Sequence, residues 1–401
     1  MYNLPMNILK SISGRSKNFW LLEASSSLHF IAASITLIFI PIIMLSIGFE
    51  LLDIILYYVI LHGLVVIFNY ISVKSIEKFT PKFGYILGTI FIIIFFLLYL
   101  WLEDRNWYIL SLMALFSALY DSFYYVSYFY GTMNNTEHIE NSKTNNIIIN
   151  LLATVSWFIG PLVGALIIFF TEDKNILFGT TIVIFILSLI PLFFCKKNHK
   201  VKKADLNFKK YFKDNRNRKN FTSWGLFKIS ETSESILFPI FIYLAYKELD
   251  AVAFISIITI FTSLFFTFLS GNIEKEKREK VVILGSVALI FIWVGRIFIE
   301  NEIYLYSSVA LMGIFALFVK MPVDTNIFKH GKELNQLTTA FYKNSISMGS
   351  KFIFYVILFG LFYFLDEFNL LQSFWLSVTA LILVITSNLT YLWIKNKNNV
   401  Q

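Results

Sequence analysis

One cysteine, Cys195, stands in a chain of 401 residues, so neither a disulfide framework nor a cysteine-rich metal site can be built from it. Charge is also scarce. Asp, Glu, Lys and Arg make up 15% of the sequence, where an ordinary soluble domain carries about 25%. A chain so poor in charge cannot coat a water-facing surface, which excludes a soluble globular protein. No pair of histidines or carboxylates has metal-ligand spacing, no glycine-rich phosphate loop follows a strand pattern, and no nucleophile stands out. Enzyme chemistry therefore has no support, and no cofactor is expected. Any pumping would draw on an ion gradient rather than on ATP bound to this chain.

Apolar length is what the sequence has in abundance. Hydrophobic residues make up 57% of it, with 44 phenylalanines, and they come in unbroken runs such as 84–102, 176–195 and 371–394. Runs of about 20 residues match the thickness of a bilayer's hydrocarbon core. In lipid each segment must satisfy its own backbone groups, so the runs are helices. The spacing predicts twelve spans, near 19–45, 54–73, 84–102, 108–130, 145–170, 176–195, 221–246, 251–270, 281–299, 303–322, 340–365 and 371–394. The first follows a polar start without a small-residue cleavage site and reads as a retained span rather than a signal peptide.

Placing both termini in the cytoplasm puts 26 of the 34 basic residues there and three, Arg105, Lys174 and Lys247, in external loops. That bias predicts the orientation in a cell membrane. The net charge of +8 is on this reading a sorting signal, not a sign of nucleic-acid binding. Even the basic stretch KKNHKVKKADLNFKKYFKDNRNRK, 196–219, is expected to lie on anionic lipid headgroups.

That stretch divides the spans six and six. The expected organisation is a cytoplasmic segment 1–18, a six-helix bundle 19–195, a linker 196–220, a second bundle 221–394 and a tail 395–401. IEK and ILG recur at an offset of 197 residues, in SIEKFTPKFGYILGT (75–89) and NIEKEKREKVVILGS (272–286). IPI (40–42) and FPI (238–240) recur at 198, in the first span of each half. A duplicated bundle related by an axis along the membrane normal is a known transporter construction.

At this point the sequence resembles the major facilitator superfamily, over essentially the whole chain. Glu77 and Lys78, with Lys82, stand in the family's charged turn between spans two and three, and Glu274 and Lys275, with Lys277 and Arg278, in its repeat; Val73 and Thr80 replace the turn's glycines. A second family signature, GPxxGG in span five, is present as Gly160-Pro161-Leu162-Val163-Gly164-Ala165. The resemblance implies an all-α fold of twelve transmembrane helices in two six-helix bundles. It also implies that helices one, four, seven and ten surround a central cavity with eleven beside them. The Gly160-Pro161 motif is associated with exporters in that family, which favours efflux over uptake.

Charges at bilayer depth are costly and face wet cavities or partners. They occur as Glu23 in span one, Asp121 in span four, Lys228, Glu231 and Glu234 in span seven, Lys320 and Asp324 at the end of span ten, and Lys343 and Lys351 in span eleven. These spans are the ones that the resemblance places around the cavity. Lys228, Glu231 and Glu234 follow i, i+3, i+6 and share one helical face. Lys228 and Glu231 are expected to neutralise each other, leaving Glu234 as the less compensated acid and proton carrier. Lys320 or Lys351 pairing with these acids would give only a structural lock. Asp121 and Tyr124, three residues apart, are expected to line the cavity, a surface suited to a cationic or aromatic solute. Tyr130 and Tyr128 read as interfacial belt residues. Arg296 is expected to snorkel to the headgroups. His29 is a candidate proton relay. Lys351 reads as a counter-ion or as a binding group for an anion.

The expectation is a secondary transporter, acting as a monomer among membrane lipids, that moves a small solute by alternating access with protons or another coupling ion. A non-transporting receptor, scaffold or lipid-handling protein on the same fold is the alternative.

Overall fold

The computed structural model describes residues 16–135, 142–171, 173–195, 201–247, 252, 254–255, 258, 262, 278–298, 301–364 and 370–398. Among them the chain forms helices α1 Lys17–Thr36, α2 Phe39–Ser46, α3 Leu51–Lys78, α4 Pro81–Leu100, α5 Trp107–Asn135, α6 Ser142–Thr171 and α7 Lys174–Phe194. Beyond the connector follow α8 Phe208–Tyr211, α9 Asn215–Thr232, a π-helical turn Ser233–Leu237, α10 Phe238–Tyr246, α11 Arg278–Phe298, α12 Glu302–Glu333, α13 Gln336–Phe364 and α14 Leu370–Asn398. Nine helices among the described residues are long and apolar enough to cross a membrane. The expected seventh span is absent from that set because it is built in pieces, α9 to α10, and carries the charges; the expected eighth lies outside the described residues. The expected twelfth is α14, whose described apolar part is Val378–Ile394.

Side-chain caps set several helix starts, where the first backbone N–H groups have no partner in the helix. The Thr80 hydroxyl accepts from the Phe83 N–H at 3.3 Å just ahead of Pro81. Asn301 does the same for Ile303 at 2.8 Å.

Spans one and seven are both broken just before a proline. α1 gives way at Leu37 and Ile38 to α2, which contains Pro41; α9 gives way to the π turn and then to α10, which contains Pro239. Proline removes a helical donor and crowds the carbonyl four residues earlier, which favours a break at each of these places, although Pro161, Pro191 and Pro322 stand inside continuous helices. At the first break Tyr99 donates to the Ile40 carbonyl at 2.6 Å.

α1 packs on α6 and α7, and α4 on α5, while in the later part α9 packs on α13 and α14 and α11 on α12 and α14. The two parts meet chiefly through α13 against α3 and α5. At the end of the bundle nearest the connector this contact is sealed. Val73, Val126, Tyr130, Met133, Phe328, Leu337 and Ala340 form a buried apolar cluster there. Tyr130 is thus part of a seal rather than an interfacial belt residue. Asn344 donates to Asn69 Oδ1 at 2.8 Å and to the Asp121 carbonyl at 3.1 Å.

The connector joins the same seal. The Ala204 N–H donates to Glu77 Oε1 at 2.7 Å, the Asp205 N–H to Thr338 at 2.9 Å, and the Asn335 amide to the Lys203 carbonyl at 2.9 Å. Tyr211 stacks on Tyr342 and bonds Thr339 at 2.9 Å. From residue 201 onward the stretch expected to rest on lipid therefore straps across the ends of α3, α12 and α13. Its lysines stay outward, and Lys210 pairs with Asp205 at 2.8 Å. The basic composition reported the exposed side; Val201, Ala204 and Leu206, which pack on the apolar cluster, form the docked side.

Gly160 and Gly164 set the closest helix approach in the first part. A Cβ on Gly160 would lie 2.5 Å from the Ile31 carbonyl oxygen and 2.9 Å from the Ile35 nitrogen of α1, and one on Gly164 would meet the Ile35 backbone. Alanine at position 160 would gain about 1 kcal/mol of helix propensity. The contact is with backbone, which cannot move aside as a side chain could, and overpacking costs about 1–3 kcal/mol. Gly160→Ala should therefore lower the melting temperature of the detergent-solubilised protein, and Gly160→Leu should lower it further. An unchanged melt for both would mean that α1 and α6 do not meet here.

Candidate functional site

Midway along the bundle five ionisable side chains meet, one from α5 and four from α9, α12 and α13. Lys228 and Glu231, one turn apart on α9, are hydrogen-bonded as an ion pair. Lys320 of α12 approaches the other Glu231 oxygen at 3.4 Å. Glu231 thus serves two lysines. Lys351 of α13 acts electrostatically on Lys228, Glu231 and Asp121 without an ion-pair contact to either acid. Asp121 of α5 makes no ion pair among the described residues. The group is not sealed in dry packing, since Lys320 keeps 43% and Glu231 30% of the side chain exposed.

A second pair lies one to two turns nearer the connector. Lys343 bonds Asp324, and its ammonium sits over the rings of Phe328 at 3.7 Å, Phe129 at 4.2 Å and Trp224 at 4.6 Å. Phe129 belongs to α5 and the others to the later part, so this aromatic box spans the two. Only 1% of the Lys343 side chain is exposed. A desolvated cation over ring faces gains from each of them. Phe129→Ala should loosen the seal. In a Cys195→Ser background carrying Ala340→Cys, maleimide should label the new thiol faster once Phe129 is truncated. Equal labelling rates would show that the box does not hold this end closed.

The structure departs from the expected role of Glu234. Its carboxylate is held by Arg296 of α11 at 2.7 and 2.9 Å, a two-pronged pair. Arg296 also donates to Ser308 at 2.7 Å and lies 3.9 Å from the Phe238 ring centroid. The guanidinium is wholly buried, so Arg296 does not snorkel and Glu234 is a paired acid rather than the less compensated one. At i+6 from Lys228, Glu234 already points about 120° away on a regular helix, and the π turn that starts at Ser233 turns it further from Lys228 and Glu231.

Other expected site residues do not join the group. Tyr124 is buried and stacked on His29, with ring centroids 3.5 Å apart. His29 itself is fully buried, bonded to the Tyr120 hydroxyl at 2.9 Å. Glu23 is buried inside the first part, where its charge acts on Tyr85 and Tyr128. These three therefore line the interior of the first bundle. Of the turn residues, Glu77 holds Lys74 at 3.0 Å as well as the connector, and Lys78 lies over the Phe79 ring at 5.4 Å. Glu274 and Lys275 lie outside the described residues.

Two residues outside the expected set belong here instead. Tyr125, not Tyr124, feels the charges of both Asp121 and Glu231. An i+3 and an i+4 neighbour flank an acid on opposite sides of the same helical face, and only packing chooses between them. His62 of α3 stands beside the Tyr58 and Tyr355 rings, with centroids at 5.9 and 5.5 Å, and the charge of Lys351 acts on it. Its signal in the sequence was a lone imidazole inside an apolar span, which is weak.

A model of the Major Facilitator Superfamily matches residues 140–353. Two solved structures share the fold at low identity. The human organic anion transporter MFSD10 (TETRAN) superposes with a TM-score of 0.67 at 10% identity, over 93% of this chain and 99% of that one. FucP, a Major Facilitator Superfamily transporter in the outward conformation, superposes with a TM-score of 0.65 at 13% identity, over 94% and 99%. No curated protein matches the sequence. With more than half its length under the family model and nearly all of it under the fold of these structures, the chain belongs to the Major Facilitator Superfamily.

Proposed function

We propose that this membrane transporter moves a small organic solute by alternating access, coupled to protons, through the site between α5, α9, α12 and α13. The observation that carries the reading is the meeting of Asp121 from the first part with Lys228, Glu231, Lys320 and Lys351 from the second. Two bundles that rock against each other would separate such a group on one face and reassemble it on the other, so its charges report which way the site is open.

Asp121 is the proton carrier in this reading. Glu234 is spent on Arg296 and Glu231 on two lysines. A carboxyl without a fixed cationic partner can take up a proton on one side and release it on the other. The organisation into bundles 19–195 and 221–394 about a basic connector, with both termini cytoplasmic, fits the paired breaks at Pro41 and Pro239. Export is supported by the Gly160-Pro161 motif and its close seat on α1. In proteoliposomes with an internal pH dye, a panel of small organic solutes should contain members that drive proton movement only when the protein is present. Solute flux with no accompanying proton movement would end the coupling reading, and no flux for any solute would end the transport reading.

A further inference from the structure

We propose that the solute is an organic monoanion, held at Lys351 with His62 beside it; this rests on the transporter reading above and assigns the substrate class of that site. At mid-bundle three lysines face two carboxylates. Lys228 and Lys320 both contact Glu231. Lys351 is left without an acid in ion-pair range among the described residues, although it acts electrostatically on Lys228, Glu231, Asp121 and His62. With both acids ionised the five groups carry one net positive charge, and Lys351 is the ammonium without a direct acid contact among the described residues. Charge at this depth is expensive unless paired, and one bound negative charge cancels it. A cation entering the same space would meet three ammonium groups.

A second observation points to the same place. His62 is 4% exposed, and neither ring nitrogen has a hydrogen-bond partner. Buried polar atoms in folded proteins are nearly always paired, so the imidazole offers an unused bond next to Lys351. Around it stand Tyr58, stacked on Tyr355 at 5.0 Å, and Tyr355, one turn beyond Lys351 on α13. An acid group at Lys351 would be within reach of His62, while Tyr58 and Tyr355, buried and closed on each other, back the imidazole. The three ammonium groups decide the sign of the ligand.

The test uses the full-length protein in detergent and matched probes: benzoate, benzylamine and benzamide, with hexanoate, hexylamine and hexanamide. At millimolar concentration the two carboxylates should raise the melting temperature, while the amines and amides leave it unchanged. Lys351→Met should weaken the apparent benzoate affinity about tenfold or more, and Lys351→Arg should keep it. His62→Phe should weaken it less. Because Lys351 balances no acid through a direct contact, Lys351→Met should melt no lower than the native protein without a probe, so loss of binding cannot be put down to misfolding. Stabilisation by the amines, no stabilisation by either carboxylate, or carboxylate binding indifferent to Lys351→Met would each overturn the proposal. Failure of the transporter reading looks different: benzoate would bind at Lys351 and yet fail to exchange across a proteoliposome membrane. An amine that exchanged would refute the anion while leaving transport intact.

Discussion

Asp121→Asn should abolish solute-driven proton movement in proteoliposomes while exchange of solute at equal concentration on both sides continues. Asparagine keeps the size of the side chain and loses the ability to carry a proton. Exchange needs only that a loaded site cross the membrane, whereas accumulation needs the proton gradient. Coupling free energies are typically about 1–3 kcal/mol, or roughly 5–150-fold, and the accumulation ratio should fall by that order. The backbone contact between the Asp121 carbonyl and Asn344 is untouched by the substitution, so the seal it joins should persist. Glu234→Gln serves as the contrast: its carboxylate is bound to Arg296, and whatever protein folds should still be coupled. The reverse pattern, coupling lost with Glu234→Gln and kept with Asp121→Asn, would transfer the proton to the seventh span and refute the assignment.

Breaking the Glu234–Arg296 pair should have the largest effect on stability. Removing one partner of a buried ion pair costs about 3–5 kcal/mol, because the other charge is stranded. Arg296→Met would leave Glu234 facing Ser308 and the Phe238 ring, and Glu234→Leu would strand a guanidinium with no exposed surface. Both single variants should melt well below the native protein or fail to accumulate. The double variant Glu234→Leu with Arg296→Met should recover most of the loss, since two apolar groups of similar volume can replace a buried pair at little cost. A double variant no better than the worse single one would show that the arginine acts through other side-chain partners, such as the Ser308 hydroxyl at 2.7 Å.

Particular residues mark where the sequence could be read and where it could not. Apolar runs could be read outright, because a bilayer imposes one requirement of length and backbone bonding on every segment. The recurrence of IPI and FPI was visible, but not that Pro41 and Pro239 follow breaks, since Pro161, Pro191 and Pro322 stand inside continuous helices. The close seat of Gly160 and Gly164 was visible as small residues at i and i+4. The site was only half visible. Lys228 with Glu231 was read correctly as a one-turn pair, and Asp121 and Lys351 as mid-span charges. Glu234 was misread, since nothing in SETSESIL signals that the helix widens there. Arg296 was misread for a related reason: nearness to a span end implied headgroups, yet its partner lies 62 residues earlier in sequence.

By itself the sequence determined that this chain spans a membrane as helices and which spans carry charge. These follow from local composition, which acts over a single turn or a single run. The tertiary structure alone decided which charges are partners, which tyrosine of an adjacent pair faces the acid, and that the connector straps the bundle from residue 201 onward instead of lying on lipid headgroups. Those outcomes depend on groups tens to hundreds of residues apart competing for the same few ångströms, and no local pattern encodes which of them arrives.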